Sequence, residues 1–559
     1  MKLDNNAKNK TKKILYSIFI GRTITRKIFM FYLYVITLGI IFLSLPISLR
    51  INNQALLNDG SIRDYKFIDA FFTSISAFTD TGLSTLNIVG TYNIFGQFVI
   101  LVLIQLGGLG LFTIYWMVWN LLFNNIIYKK IKRLPLHEGR TMSFSNSMLI
   151  ASERGNTKLG LSMKTIKSAL IFILISELIF TVIYSLMFYF IPSYVQSDLA
   201  ATLVGSNGSN PLELNTWYVD TDQYNHFYRN AGLSIWTGLF QSISTMNNAG
   251  FDVIGQASYS TFRNGVWTIF LYISIIQIVI GGIGYPVIYD LTQYFKYKHH
   301  RQKFKFSLFT KVSTITYFLV TIMGMAFLFG FEYGINDGSL ISQVNSNDLL
   351  KFEYFGKDKS LVLWNQITSL IFNVFSSRSS GMSTFSQSSM SFASIWIINI
   401  LMFIGCAPSS TGGGIRTTTL AIMCMTTWSY MKGEKHTVIF KKVVPSYTVK
   451  QSAVIILISL TLIACFSMIT YPIALNVDQN HSLTITDIFF EFASSYGTVG
   501  LSTGLSSILD GSSVGTYFIS IMLCIIMVIG QLGVGTTLLA FKSKDTNKAI
   551  QYATEDIRI

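Results

Sequence analysis

TDTGL at residues 79–83, NNAGF at 247–251, RSSGM at 378–382 and GTVGL at 497–501 share one form. Each is a short polar run, a glycine and an apolar residue. Each follows an amphipathic stretch about one short helix long and precedes a long apolar run. Four copies of one loop in one chain point to a common axis. A ring of backbone carbonyls is a way to replace the water shell of a monovalent cation.

The copies extend beyond the loops. Aligned on Gly82, Gly250, Gly381 and Gly500, the positions ten residues earlier are Phe72, Phe240, Ile371 and Phe490. Thirteen earlier stand Asp69, Thr237, Thr368 and Asp487, all suited to a helix amino terminus. Copies one and four are the most alike, IDAFFTSISAFTDTGLST against TDIFFEFASSYGTVGLST. Such repeats govern the architecture and come before any other fold argument.

Composition places the loops in a membrane. Half of the 559 residues are hydrophobic and only 12% are charged. A span needs roughly 20 mostly apolar residues. Suitable runs lie near 29–49, 97–123, 168–192, 266–288, 313–331, 395–430, 453–474 and 516–541. The first is too long for a signal peptide, and no small-residue cleavage site follows it.

The net charge of +15 is not a nucleic-acid signature, because of its distribution. Lys and Arg crowd the amino terminus and the segments 129–140, 296–305, 432–442 and 542–548. Each cluster follows an even number of spans, whereas Asp198, Glu213, Asp220 and Asp222 fall between members of a pair. This positive-inside pattern puts both termini in the cytoplasm. The basic clusters then meet anionic lipid or a cytoplasmic partner. Cys406, Cys424, Cys465 and Cys524 lie in apolar runs, without zinc spacing, and read as small buried residues. No His, Cys and carboxylate cluster has catalytic spacing, so an enzyme is not expected.

The expected fold class is an all-α polytopic membrane protein with four parallel helix–pore-loop–helix repeats around a pseudo-fourfold axis. The expected division is a basic segment (1–28), repeat 1 (29–128), a linker (129–167), repeat 2 (168–295), a linker (296–310), repeat 3 with a broken inner helix (311–431), a linker (432–450), repeat 4 (451–541) and a cytoplasmic tail (542–559). Two crossings per unit make the repeats parallel. Inverted repeats, common in rocking transporters, need an odd number.

The loops belong in protein or in a wet cavity, since unpaired backbone cannot face lipid. Half-helices entering from outside aim their negative carboxyl ends at the axis and favour a cation there. The third inner span is interrupted at Gly405, Cys406, Ala407, Pro408, Ser409, Ser410, Thr411, Gly412, Gly413 and Gly414, a composition that cannot continue a straight helix. It reads as a gate under the filter or as a static packing kink. Gln531 in the last inner span is a polar residue at mid-depth.

NNAGF, the STGGGIRTTT run (410–419) and GTVGLSTG resemble the membrane subunits of the Trk/Ktr/HKT superfamily of potassium transporters, most closely the bacterial Ktr type. The resemblance covers nearly the whole chain. It implies potassium uptake across the cell membrane through a selectivity filter formed by Thr79, Asp80, Thr81 and Gly82; Asn247, Asn248, Ala249 and Gly250; Arg378, Ser379, Ser380 and Gly381; and Thr498, Val499 and Gly500. It implies that residues 405–414 are an intramembrane gating loop. It further implies a homodimer of pores on a cytoplasmic ring of nucleotide-binding regulatory subunits. No cofactor is expected in this chain; the ligand is permeant K+, with Na+ as a possible modulator. Relatives preferring sodium tend to carry serine at the first glycine, and here all four are glycine. A symporter coupled to Na+ or H+, and a sodium-preferring pore, are the alternatives.

Two positions depart from that pattern. Gln531 stands where the family usually has arginine. Asp80 adds an acid to the first loop, either raising external cation occupancy or serving as a bonded structural aspartate. Two further charges fall at membrane depth. Glu177 needs a partner there. Arg378 either slows cations or braces the half-helices through Asp487 or Glu491.

Overall fold

The protein is described by a computed structural model at residues 24–50, 54–56, 62–108, 159–191, 229–254, 259, 267–334, 341, 359–478, 483–509, 511–535 and 537. The basic amino terminus through residue 23, the basic segment 129–140, the four acids named above, residues 109–123 of the second apolar run and the tail 542–559 lie outside these residues.

Repeat 1 comprises α1 (Ile24–Ser44), the short α2 (Phe67–Phe78) and α3 (Ile94–Gly108). Repeat 2 comprises α4 (Leu159–Phe190), α5 (Ala231–Asn247), α6 (Thr268–Ile283) and α7 (Tyr285–His299). Repeat 3 comprises α8 (Leu308–Gly334), α9 (Lys359–Ser376), α10 (Phe392–Phe403) and α11 (Thr417–Met431). Repeat 4 comprises α12 (Ser446–Val477), α13 (Ile485–Gly497) and α14 (Val514–Leu532). Two small antiparallel hairpins are the sheet structure among the described residues, Gln54–Leu56 with Ile62–Asp64 and Val438–Ile439 with Lys442–Val443.

Four described helices are long and apolar enough to cross a bilayer, or five if the bent pair α6–α7 is one span. The outer helices present large apolar side chains outward, such as Ile315, Leu319 and Ile322 on α8 and Val454, Leu457 and Met468 on α12. In lipid that exposure has no hydrophobic cost. Cys406 and Cys524 are buried as expected, but Cys424 and Cys465 face outward.

The half-helices begin with defined caps. Asp69 accepts from the Lys66 backbone N–H (2.9 Å) and pairs with Arg63 at 2.7 Å. Thr484 and Asp487 form a reciprocal capping box on α13. Asn230 accepts from Leu233 N at the start of α5. Each half-helix buries a phenylalanine completely, four residues before the serine whose carbonyl accepts from the loop: Phe72, Phe240, Phe372 and Phe490.

That set corrects the ungapped alignment in the third copy. Ile371 is only partly buried, and Phe372 occupies the shared core position. The residue matching Asp69 and Asp487 is then Ser369 rather than Thr368. The cause is a third loop one residue shorter than the others, as its hydrogen bonds show below. In repeats 2 and 3 this column lies inside the helix instead of at its start, since α5 begins at Ala231 and α9 at Lys359.

The repeats close in cyclic order. Each inner helix packs on the half-helix of the next repeat: α3 on α5, α6 on α9, α10 on α13, and α14 back on α2. The last contact is what makes four consecutive units a ring rather than a row.

Candidate ion-conduction site

The half-helices end at the ring. In repeats 1, 2 and 4 the residue before each glycine donates its N–H to a serine carbonyl five residues back: Thr81 to Ser76 (2.9 Å), Ala249 to Ser244 (2.8 Å) and Val499 to Ser494 (2.9 Å). In repeat 3 Ser380 donates to Ser376, four residues back, at 2.8 Å. The extra residue of the other three is left-handed: Asp80 at φ +51°, Asn248 at +57° and Thr498 at +48°. Asn and Asp tolerate this region, but a β-branched threonine there is strained. The serine hydroxyls fasten the exit strand. Ser244 donates to Phe251 O and Ser376 to Met382 O, both at 2.5 Å, while Gly500 N donates to Ser494 Oγ at 3.0 Å.

The four glycines all have positive φ, and together they meet. A Cβ on Gly82 would lie 2.5 Å from Ala249 O, and one on Gly250 would lie 2.7 Å from Ser380 O. A Cβ on Gly381 would overlap Val499 O, and one on Gly500 would overlap Thr81 O. Every glycine therefore backs onto the carbonyl that precedes the glycine of the next repeat, in the order 1-2-3-4-1. Only a residue without a side chain permits that approach and that φ together. A cavity of about 270 Å³ opens on one side of the ring. It is lined by all four glycines, by Ser84, Ser383 and Ser502, and by Asp252 in the second repeat. The sequence marks these positions, with serine recurring after the glycine in copies one, three and four and Asp252 in its place in the second. All four stand two positions after the glycine.

On the opposite side, the break between α10 and α11 passes against three loop ends and reaches the first through Gln531. Asn248 Nδ2 donates to Thr411 Oγ1 (2.9 Å), and Gly413 N donates to Thr498 Oγ1 (2.8 Å). A Cβ on Gly412 would strike Ser379 Oγ. Gln531 Nε2 reaches Thr411 O at 3.5 Å and Asp80 Oδ2 at 3.3 Å. The bond accepted by Thr498 offsets part of its left-handed strain. Arg416 donates to Gly412 O.

The second inner span contributes a contact that sequence reading missed. It bends by 102° between α6 and α7 at Gly284, φ +93°. There Ala407 N donates to Gly282 O (3.1 Å) and Tyr285 N donates to Ser409 O (2.9 Å). Two helix breaks thus satisfy each other's freed backbone groups. The GIGYP sequence at 282–286, glycines followed by proline, was the available signal.

The other glycine-rich inner spans allow close packing. A Cβ at Gly107, Gly281 or Gly530 would strike the carbonyl of Phe78, Met246 or Tyr496, each at a half-helix end. In repeat 3 Cys406 takes that place, with Sγ 3.8 Å from Arg378 O.

Two expectations about charges, at Asp80 and Arg378, need correction, and Glu177 has the partner it requires. Asp80 does not face the outer cavity; its carboxylate lies beside Gln531, on the side of the broken helix. Its residue position, before the ring glycine on the half-helix end, dictates that direction. Arg378 does not reach Asp487 or Glu491. It is fully buried, donates to Gly405 O at 2.6 Å and stacks its guanidinium 5.1 Å from the Tyr317 ring. Asp487 is engaged by the α13 cap and Glu491 by the Ser502 hydroxyl. Glu177 has neither a lysine nor an arginine partner among the described residues. It accepts from the amides of Gln105 (3.2 Å) and Asn247 (3.3 Å), which ties α4 to the second half-helix end. No group of three or more His, Cys, Asp and Glu that could hold a metal ion occurs among the described residues.

The chain is 35% identical to the uncharacterized cation transporter MG322 of Mycoplasma genitalium, over 96% of this chain and 98% of that protein. It is 28% identical to Ktr system potassium uptake protein D of Bacillus subtilis, covering 95% and 96% of the two chains. It is 27% identical to the potassium/sodium uptake protein NtpJ of Enterococcus hirae, covering 88% and 90%. The crystal structure of the potassium transporter TrkH from Vibrio parahaemolyticus shares the fold, with a TM-score of 0.57 at 14% identity over 93% of this chain and 85% of that one. The family model for the cation transport protein TrkH matches residues 47–551. With a four-repeat helical ring and that match over most of its length, the chain belongs to the TrkH family of cation transport proteins, as a Trk/Ktr-type membrane subunit.

Proposed function

We propose that the chain carries K+ into the cell through the centre of the glycine ring, down the membrane potential. The supporting observation is the cyclic contact of Gly82, Gly250, Gly381 and Gly500 with the carbonyls of Ala249, Ser380, Val499 and Thr81. Those carbonyls stand in for the ion's water. The half-helix ends behind them add a negative potential equivalent to about half a charge each. Asp252 at the outer cavity raises the local cation concentration before entry. Relatives named as potassium uptake proteins support K+ as the cargo.

Residues 405–414 act as the gate. They contact Asn248, Ser379 and Thr498 directly and Asp80 through Gln531, so the loop closes the cytoplasmic side of the ring. Opening requires these bonds to break. Regulation acts through a nucleotide-binding cytoplasmic ring, with the pore as a homodimer. The exposed basic end of α7, with Lys296, Lys298 and His299, supplies docking charge.

The test is K+ uptake and current in potassium-starved cells expressing the full chain, with Na+ varied independently. Currents that reverse at the K+ equilibrium potential whatever the Na+ gradient are expected. A reversal potential that follows Na+ would replace this reading with the coupled or sodium-preferring one, which the name of the E. hirae relative brings forward.

A further inference from the structure

Asp80 is fully buried and stands beneath the ring with an incomplete set of partners. Its Oδ2 has a 3.3 Å contact with Gln531 Nε2, longer than the usual N–H···O range. Its Oδ1 has no hydrogen-bond partner among the described residues. Two neighbouring amide oxygens are in the same condition, Gln531 Oε1 and Asn248 Oδ1. Gln531 also lies within 3.5 Å of the Thr411 carbonyl, and Asn248 holds the Thr411 hydroxyl. Three buried side-chain oxygens of these neighbouring residues, one of them a carboxylate, are therefore left without a donor, while Gln531 Nε2 is the amide atom turned toward Asp80 Oδ2 and Thr411 O. A buried carboxylate without donors is costly, and a cation removes that cost.

The nearby basic groups do not serve it. Arg378 donates to Gly405 O and Arg416 to Gly412 O, both on the broken-helix loop. Asp80 has no ion-pair partner among the described residues.

We infer that Asp80, together with the unpartnered side-chain oxygens of Gln531 and Asn248, forms a cation site on the cytoplasmic side of the ring, and that divalent cations entering from the cytoplasm occupy it and obstruct outward flow. The inference rests on the pore reading above. Coulomb attraction to one carboxylate is twice as large for a divalent as for a monovalent ion at the same distance. The four half-helix ends add to it. K+ leaves the site readily under the same field, whereas a doubly charged ion stays. Outward current is then selectively lost, and the chain favours uptake.

The experiment places the full chain in planar bilayers with symmetrical K+ and adds Ba2+, then Mg2+, to the cytoplasmic side. Block that deepens as the cytoplasmic side is made positive is expected. Asp80→Asn should weaken it at least about tenfold, whereas Asp80→Glu should keep it. Gln531→Arg should abolish it by placing a cation on the carboxylate, and this variant decides the matter if Asp80→Asn fails to assemble. K+ currents with equal block in the parent, Asp80→Asn and Gln531→Arg would overturn the site and leave the pore standing. So would a parent blocked only from outside. A parent protein with no K+ current would overturn both.

Discussion

The third loop and the other three solve one problem in two ways. In repeats 1, 2 and 4 the half-helix ends through a left-handed residue, Asp80, Asn248 or Thr498. A glycine of the inner helix, Gly107, Gly281 or Gly530, then packs against that end. In repeat 3 the left-handed residue is missing and the inner helix is broken at the same level, with Cys406 in the glycine's place. Arg378 fills the space and fixes the break through Gly405 O. The shortened loop and the broken helix belong together. Removing one residue from a half-helix end makes room for an irregular strand beneath it.

Arg378→Met gives the largest expected effect, because a buried carbonyl loses a charged donor and the Tyr317 ring its cation. A loss of about 2–3 kcal/mol is expected, read as a lower unfolding temperature in detergent. A variant as stable as the parent would separate the arginine from the break.

Glycine substitutions rank next and compare the two kinds of loop directly. Gly82→Ser puts a Cβ 2.5 Å from Ala249 O at a left-handed φ, so the ring must shift: uptake should fall, and the flux that remains should carry a higher Na+ to K+ ratio. Gly381→Ser meets Val499 O far more severely, and uptake should vanish. Isotope fluxes of both ions distinguish them, and equal damage at both sites would break the comparison.

Thr498→Val has the smallest effect. It removes the bond from Gly413 N without changing shape, and a bond of about 1 kcal/mol corresponds to about a fivefold rise in uptake without any cytoplasmic partner. Unaltered basal uptake would mean that this bond does not hold the loop.

Much of this was legible in the chain. The four glycines are recognisable because close approach and positive φ both demand glycine, and that demand is local. The break at 405–414 is recognisable because Pro408 and three consecutive glycines cannot form helix. The third-loop deletion was not legible by column matching, since Ile371 and Phe372 are both large and apolar and only burial separates them. The direction of Asp80 and the partners of Arg378 and Glu177 were likewise hidden. A buried charge takes whichever group the fold brings beside it, and those groups lie as far as 451 positions away.

The sequence by itself determined a membrane protein of four parallel repeats with glycine at each turn, because hydropathy, charge asymmetry and backbone sterics act within short segments. Only the tertiary structure decided that the repeats close on one another, that the second and third inner helices break against each other, and that Asp80 faces the broken helix. Those outcomes depend on which carbonyl, amide or ring a distant segment brings to the same few ångströms.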